Sequence, residues 1–345
     1  MKLKITILMT LVLCYPIIVA GQDGDFAGEG RTPITIGGLK YYLNEDTRVA
    51  TVANGNEWIG ELVIPSVVEY NGLSYDVCYI SWLAFDHCMT LTKIVIPKTI
   101  KDIHHYAEWE DCKNPFAGCT ALEVIEVDEN NPSMKSIGGV LFSKDGTRLY
   151  SYPGGMRQEE YVVPETVTWI GCGAFSKNPY LSALTMPNSV TRVSSGVCSD
   201  CVNMKTVRLS ENITYIEAYS FDKCESMKIL DIPESVQGFG ESVFRWTHFE
   251  KIVIRGTFPN GLRDDTFYFM DDATILYVQP SEIEKFKKVK TFHGTVLPLE
   301  EYTDVKQIEL HQLSGSVYDL QGRRLDGLPT NKGIYIQNGK KVVVK

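Results

Sequence analysis

The stretch AFDHCMTLTKIVIP, residues 84–97, carries a pattern that recurs along the chain. If Phe85 is taken as position 0, a cysteine stands at +3, a leucine at +6, isoleucines at +9 and +11, and a proline at +12. Apolar residues at alternate positions are typical of a β-strand. Proline ends such a strand, because it cannot donate a hydrogen bond to a neighbouring strand. The pattern therefore predicts one short strand in each copy.

Further copies begin at Phe175, Cys198, Phe221 and Phe244, and these four origins follow one another at intervals of 23 residues. The copy at Phe244 is one residue shorter than the template, and an isolated copy begins at Phe116. The repeated large and small apolar positions are expected to form the core. These core side chains are Phe85, Phe116, Phe175, Phe221, Phe244, Cys88, Cys119, Cys201 and Cys224.

A single copy is too small to fold alone. About six buried side chains contribute on the order of 10–15 kcal/mol, whereas ordering about 23 backbones costs on the order of 23–46 kcal/mol. Stacked copies bury their exposed faces against each other and pair each strand with the next. The sequence therefore predicts a β-rich solenoid of 23-residue coils with a parallel sheet, a single shared hydrophobic interior and a spacing of about 4.8 Å per coil.

The same residues resemble the BspA-type leucine-rich repeat (LRR family 5), over roughly residues 60–258. Asn130-Asn131-Pro132, followed by residues 139–142, is similar to a hairpin insertion of that family. Cys198 departs from the family's phenylalanine, and Asn178 and Thr247 depart from its cysteine, which puts the register of those coils in doubt. The resemblance implies a protein of bacterial or protist cell surfaces, with an adhesive role.

The remaining segments are expected to cap the solenoid. A hairpin over residues 41–43 and 49–52 predicts an N-terminal cap, and a hairpin around Asp145-Gly146 is expected within the insertion. A strand at 275–278 and a short helix at 281–289, with Ser281 as its N-cap, are expected to close the other end. The predicted segments are a signal peptide (1–21), an N-terminal β cap (22–59), the solenoid (60–258) with an insertion at about 128–163, a C-terminal cap (259–300) and a β tail (301–345).

The N-terminus predicts export. Lys2 and Lys4 precede an apolar run at residues 5–20, and small residues before Gln22 offer a cleavage point. The run is short for a membrane span, and no other segment is long and apolar enough to cross a bilayer. The predicted localisation is therefore secreted or cell-surface. Lipoprotein anchoring through Cys14 stays open as an alternative, although Leu13 stands where a small residue is expected.

The C-terminal tail combines Val317-Tyr318-Asp319-Leu320-Gln321-Gly322 with residues 333–336 and 338–344. Asn338-Gly339 is a strong signal for a tight hairpin. These residues resemble the C-terminal sorting domain of proteins that Bacteroidetes-like bacteria export by type IX secretion. The resemblance implies the secretion machinery as a partner, whereas a plain β cap is the alternative.

Charge and composition exclude several function classes. The formal net charge is −9 and no long basic run occurs, which argues against binding to nucleic acid or to anionic lipid. No nucleophile motif, phosphate-binding loop or EF-hand spacing was found, and Asp264-Asp265 and Asp271-Asp272 are interpreted as solvated loop charges. We therefore predict a protein without catalytic activity, cofactor or metal, while an enzyme with a cryptic site stays open.

The cysteines and histidines offer alternatives. Cys198-x-x-Cys201 suits a redox or zinc site, but its spacing follows from the repeat, so both thiols are expected in the core. A disulfide is possible in an exported protein, with Cys112 and Cys119 as the first choice. His104-His105 with nearby carboxylates, up to Cys112, is interpreted as a solvated loop, with a metal site as the alternative.

Binding is expected on the outward face of the sheet, at positions +8 and +10 of each copy. Such broad faces suit extracellular protein or glycan ligands. The insertion, with Tyr150, Tyr152 and Arg157, is the other candidate surface. The first function hypothesis is adhesion or protein–protein interaction, and the second is glycan or nutrient capture, or a structural part of an outer-surface assembly. The candidate ligand-face residues are Lys93, Val95, Glu126, Thr185, Thr206, Arg208, Asp231 and Lys251.

Overall fold

A computed structural model describes residues 32–103, 114–258, 262–302, 317–318, 333–337 and 340–344. The predicted signal peptide, the His104-His105 cluster, Cys112 and much of the predicted tail lie outside the described residues. The described part consists almost entirely of short strands joined by turns.

The strands are numbered in chain order. The first thirteen are β1 (Ile34–Ile36), β2 (Leu39–Asn44), β3 (Val49–Val52), β4 (Gly60–Val63), β5 (Val67–Tyr70), β6 (Leu73–Ile80), β7 (Leu91–Ile96), β8 (Asp102–Ile103), β9 (Val124–Val127), β10 (Met134–Ile137), β11 (Val140–Ser143), β12 (Arg148–Ser151) and β13 (Glu160–Val162). The others are β14 (Trp169–Ile170), β15 (Ala183–Thr185), β16 (Arg192–Val193), β17 (Thr206–Arg208), β18 (Tyr215–Ile216), β19 (Ile229–Ile232), β20 (Gly238–Phe239), β21 (Lys251–Ile254), β22 (Ile275–Val278), β23 (Thr295–Pro298), β24 (Val317–Tyr318), β25 (Gly333–Gln337) and β26 (Lys340–Val344).

The predicted strand of each copy forms one row of parallel pairs, the outer sheet. Its three sections are β4-β7-β9, β13-β15-β17 and β19-β21-β22-β23. Leu184 pairs with Val207, which lies 23 residues later in the sequence. The apolar residues at +9 and +11 are buried, because alternate side chains of a strand point to opposite faces. The predicted parallel solenoid of 23-residue coils is confirmed.

A second row of parallel pairs, which the sequence analysis did not assign, uses positions +17 and +18 of each coil. It contains β12-β14-β16 and β18-β20, and β8 pairs with β6 in the same parallel sense. The residue at +18, such as Ile103 or Val193, is buried. Each coil is therefore held to its neighbours along two edges.

The turn after position 0 adds a third line of contact. The residue at +2 has a positive φ in coil after coil, for example 58° at Lys177 and 57° at Lys223. The backbone N–H at +2 donates to the next coil, as in the bond from Lys177 to the Ser199 carbonyl at 2.8 Å. We call this line of turns the turn face.

Phenylalanine rings at position 0 stack along the interior. The ring centroids of Phe221 and Phe244 lie 6.3 Å apart, and those of Phe85 and Phe116 lie 5.9 Å apart. Phe267 continues the stack at 5.5 Å from Phe244. Strands β22 and β23 extend the parallel row beyond it. The coils therefore continue past residue 258, where the sequence analysis ended the solenoid.

The interior is divided into two clusters of buried side chains. One cluster takes residues from Leu39 to Leu141, and the other takes residues from Val140 to Phe292. Both meet at β11, where Val140 and Phe142 belong to the second cluster and Leu141 to the first. The prediction of one shared interior is corrected by this division, because the insertion interrupts the stack.

The caps follow the predicted hairpins. β2 and β3 pair antiparallel, as do β11 and β12. The predicted strand at 275–278 is present as β22. The predicted helix is shorter than expected: a 3-10 turn at Pro280–Glu282 precedes helix α1 (Ile283–Phe286). Glu282 is the N-cap of α1 and provides no side-chain cap, so the prediction for Ser281 is wrong.

The tail strands β24, β25 and β26 form a small antiparallel sheet. Gln337 pairs with Lys340, as the hairpin predicted at Asn338-Gly339 requires. The predicted small β-module is therefore present. Its sorting role stays a prediction.

Candidate functional site: the outward face of the outer sheet

The outward face of the outer sheet is formed by the residues at +8 and +10. In β17, Val207 points into the core and the residues on either side of it are exposed. In β19, Leu230 and Ile232 are buried while Ile229 and Asp231 are exposed. The alternation thus places the predicted ligand-face positions on one surface.

The eight candidate residues differ in accessibility. Four of them are exposed and four are half-buried. The exposed ones are Glu126, Thr206, Arg208 and Asp231, and the half-buried ones are Lys93, Val95, Thr185 and Lys251.

Two ion pairs occupy part of this face. Lys93 Nζ lies 2.7 Å from Glu126 Oε1 on the next coil, and this hydrogen bond raises the pKa of Lys93. Asp231 accepts two hydrogen bonds from Arg255, at 2.7 and 2.6 Å. Arg255 was missed in the sequence analysis because it lies just beyond its strand. Exposed pairs of this kind contribute little to the stability of a fold, because water screens their attraction.

Arg208 differs from the other charged candidates. Its side chain is exposed and forms no ion pair or hydrogen bond within the described parts of the chain. It pairs in register with Thr185 on one side, and the strand that carries Asp231 follows on the other. An arginine side chain offers five N–H donors, so Arg208 is free to bind a partner.

Aliphatic side chains lie exposed beside these charges. Val63 on β4 is 68% exposed and Val162 on β13 is 66% exposed, and both occupy position +10. Val162 was missed because residues up to 163 were assigned to the insertion, whereas β13 pairs parallel with β15. These side chains add apolar area to the outward face.

The face closes near the C-terminal end of the sheet. Val253, which the alternation predicted to point outward, is completely buried, and Tyr277 on β22 is nearly so. Tyr302 packs against Tyr277 with ring centroids 5.1 Å apart. The accessible face therefore has two parts, from β4 to β9 and from β13 to β19, with the insertion packed on β9 between them. The expectation for Val253 is wrong because a segment outside the repeat covers the C-terminal end.

The insertion contributes less surface than predicted. Tyr152 is buried against Phe175, with ring centroids 5.3 Å apart, and burial raises its pKa to about 12. Tyr150 is half-buried. Arg157 alone of the three candidates is exposed, and its guanidinium lies over the Tyr180 ring at 5.6 Å.

The cysteines at +3 are core residues. Cys201 Sγ donates to the Phe175 carbonyl at 3.0 Å, and Cys198 is fully buried. A hydrogen bond to Cys201, together with burial, raises the pKa of Cys198 well above its usual value. Within the described ranges, no group of three or more His, Cys, Asp or Glu side chains is placed to hold a metal ion.

The predicted disulfide of Cys119 is wrong. Cys119 is a free, buried thiol whose Sγ contacts the Phe85 carbonyl at 3.0 Å. Cys172 is disulfide-bonded, whereas the six other cysteines of the described residues are free thiols. The repeat register gave no signal for this bond, because Cys172 does not occupy a repeated position.

No helix in the described portion of the chain is long and apolar enough to span a membrane.

Comparison with protein families gives one match. The model of the BspA type leucine rich repeat region matches six copies, over residues 78–153 and 146–271, which together make up more than half of the chain. Among curated proteins, no relative matches.

Several solved structures are similar in fold. The pneumococcal vaccine antigen PcpA is 16% identical over 77% of this chain and 98% of its own, with a TM-score of 0.48. A leucine rich cell surface protein from Faecalibacterium prausnitzii A2-165 is 17% identical over 78% of this chain and 100% of its own, with a TM-score of 0.43. A leucine-rich repeat protein from Bacteroides ovatus ATCC 8483 is 21% identical over 76% of this chain and 67% of its own, with a TM-score of 0.40.

Proposed function

Because the chain belongs to the BspA-type leucine-rich repeat family, we propose that it is an exported, non-catalytic binding protein that adheres to an extracellular protein through its outer sheet. The observation that carries the proposal is the accessible outward face from β13 to β19. There, the unpaired Arg208 lies on the same surface as exposed aliphatic residues such as Val162. Arginine is enriched in protein interfaces and among the residues that contribute most of their binding energy.

The proposed location is the cell surface or the surrounding medium. The basic start and apolar run of residues 1–21 support export. We propose further that the tail, residues 301–345, is a sorting address for the secretion machinery. The antiparallel strands β24 to β26 support this as a compact unit that a receptor can recognise.

The binding surface is tested with immobilised extracellular-matrix proteins and surface plasmon resonance. Arg208→Glu is expected to weaken at least tenfold the binding of whichever matrix protein the wild type retains. The substitution removes a hydrogen-bond donor and reverses the charge on the outward face, so a partner group that attracts Arg208 would repel the glutamate. Lys288→Glu, an exposed charge reversal away from the face, is the control and should bind as the wild type does. If Arg157→Glu abolishes binding and Arg208→Glu does not, the insertion is the binding surface and the proposal fails.

The sorting address is tested by deletion of residues 333–345 in a type IX-secreting host. The truncated protein should accumulate in the periplasm, whereas surface display at the wild-type level would remove the sorting role. Surface display is read by protease accessibility on intact cells.

A further inference from the structure

A groove of about 340 Å³ crosses the turn face, away from the outer sheet. It runs over the coils that begin at Phe175, Cys198 and Phe221. Its floor consists of small residues, and a cluster of charged side chains stands at each end. The floor residues are Gly173, Ser176, Ser195, Gly196 and Ser199.

The groove exists because of the residue at position −2 of each coil. Gly173, Gly196 and Tyr219 occupy this position in three successive coils, with φ of 54°, 63° and 57°. Gly196 leaves open space at the floor, whereas the tyrosine at the same register closes the groove. At Gly173, an added Cβ would lie 3.1 Å from the Ser176 hydroxyl. A Cβ placed on Gly196 would meet only the Ser199 Cβ, at 3.8 Å.

One end of the groove is a rigid polar cluster. Asp222 is buried and accepts two hydrogen bonds from Arg245, both at 2.9 Å. The Arg245 guanidinium lies over the Tyr219 ring at 5.0 Å from its centroid. The tyrosine hydroxyl donates to Glu241 at 2.8 Å. Since two of its five donors are used by Asp222, Arg245 keeps N–H groups for a ligand.

The other end is a chain of three side chains. Asp86 Oδ2 lies 3.0 Å from His87 Nδ1, and His87 Nε2 lies 2.6 Å from Lys177 Nζ. Histidine reaches lysine across Gly118, where an added Cβ would approach the imidazole to 3.1 Å. Lys177 is therefore engaged by His87, just as Arg245 is engaged by Asp222 at the other end.

These features restrict the chemistry of the ligand. Along the floor, backbone groups are used between coils, as in the bonds from Phe175 N–H to Val197 and from Cys198 N–H to Ser220, so a peptide cannot add as a strand. Each end contains both a cation and a carboxylate, which gives an anion no net attraction. The hydroxyls of Ser195 and Ser199 form no hydrogen bond to the described protein, and therefore stay available.

From this geometry we propose that the groove binds a short, neutral oligosaccharide, a function separate from the protein binding proposed for the outer sheet. Serine hydroxyls and the spare N–H groups of Arg245 match the many hydroxyls of such a ligand. Tyr219, a half-buried side chain, contributes an aromatic ring to the lining of the groove. Aromatic rings next to polar groups suit the apolar faces of sugar rings.

The proposal is tested with the full-length protein on a printed array of neutral, sialylated and sulfated oligosaccharides. Wild-type protein should retain at least one neutral glycan, and titration calorimetry with that glycan gives its affinity. Gly196→Tyr places in the groove the residue that the neighbouring coil already carries at this register. It should weaken the affinity at least tenfold, with a melting temperature lowered no more than in the control below, because both glycines have a positive φ. Gly37→Tyr, at a φ of 58° in open space far from the groove, is the matched control and should bind as the wild type does.

Three results would overturn the proposal. These are retention of no neutral glycan, retention of sialylated or sulfated glycans alone, and an affinity that Gly196→Tyr leaves unchanged while the protein stays folded. Loss of matrix-protein binding by Arg208→Glu concerns the outer sheet alone, so the two proposals fail independently. Arg208→Glu is therefore expected to bind the neutral glycan with wild-type affinity.

Discussion

Between Tyr152 and Phe267, six successive coils repeat at an interval of 23 residues, whereas the stretch from Phe85 to Tyr152 contains one further repeat origin, Phe116. In the regular region, each coil packs on the next along two rows of strands and one line of turns. In the irregular region, the insertion places β11 between two clusters of buried side chains. We call this second region the junction.

The two regions differ in which residues form the contacts between neighbouring coils. Inside the regular coils, a ring such as Phe221 contacts the same residue type in the next coil. At the junction, neighbouring residues of one strand serve opposite cores, with Leu141 on one side and Phe142 on the other. In the regular coils, the stability lost through a substitution is therefore expected to depend on the size of the cavity that it leaves. At the junction, it is expected to depend on whether the new side chain fits the space between the packed segments.

The largest loss of stability is expected in the regular region, from Phe221→Ala. Its ring is completely buried in the stack, so the substitution leaves a cavity and should lower the free energy of unfolding by about 4 kcal/mol. Urea unfolding followed by circular dichroism measures this change. A loss below about 1 kcal/mol would mean that the stack of rings is not a packed core.

The junction is tested by Gly155→Ala. A Cβ on Gly155 would lie 2.4 Å from the backbone carbon of Ala121, so the insertion can no longer pack on the coil of Phe116. Overpacking of this kind costs about 3 kcal/mol. Gly37→Ala, in open space, should cost about 1 kcal/mol from its positive φ alone. Equal losses for both variants would argue against close contact at the junction.

The disulfide of Cys172 is expected to stabilise the fold near the junction. Cys172→Ser removes a disulfide and should cost about 2 kcal/mol. Thermal unfolding of the wild type with a reductant should give the same loss, and the reductant should not change the variant. A variant that the reductant destabilises further would place the stabilising disulfide elsewhere.

The smallest effect concerns a turn inside the insertion. Asp145 accepts hydrogen bonds from Ser143 and Thr147, which lower its pKa to about 2. Because the folded pKa lies below the unfolded value of about 4, the stabilisation is present above pH 4 and is lost as the pH falls towards 2. The difference in stability between the wild type and Asp145→Ala should be constant from pH 5 to 7 and shrink below pH 4. A difference that grows on acidification would contradict this assignment.

Much of the fold was predictable, because the same strand pattern occurs in several copies of the repeat. The alternation around Leu184 or Leu230 identifies a buried strand from the sequence alone, and hairpin signals identified the caps. The coil of Phe267 was missed because Ala273 replaces the large residue at +6 and the stretch before it lacks the repeat pattern. The division of the core into two clusters was missed, because it depends on β11 directing Val140 and Phe142 into one cluster and Leu141 into the other.

The candidate sites were less predictable. The outward positions followed from alternation, but the burial of Val253 depends on a segment outside the repeat, near Tyr302. The groove depends on a comparison between coils, in which Gly173 and Gly196 align with Tyr219. That signal is present in the sequence, although its meaning depends on the positive φ at this position.

Native-state hydrogen exchange at increasing urea shows whether the stacked coils form two cores joined at β11. The amides that donate between coils, such as those of Lys177, Asp200 and Lys223, should be strongly protected. Two opening reactions with different urea dependence are also expected, one for residues before β11 and one for residues from β12 to β22. Rapid exchange of the inter-coil amides, or one opening reaction common to both parts, would contradict this arrangement.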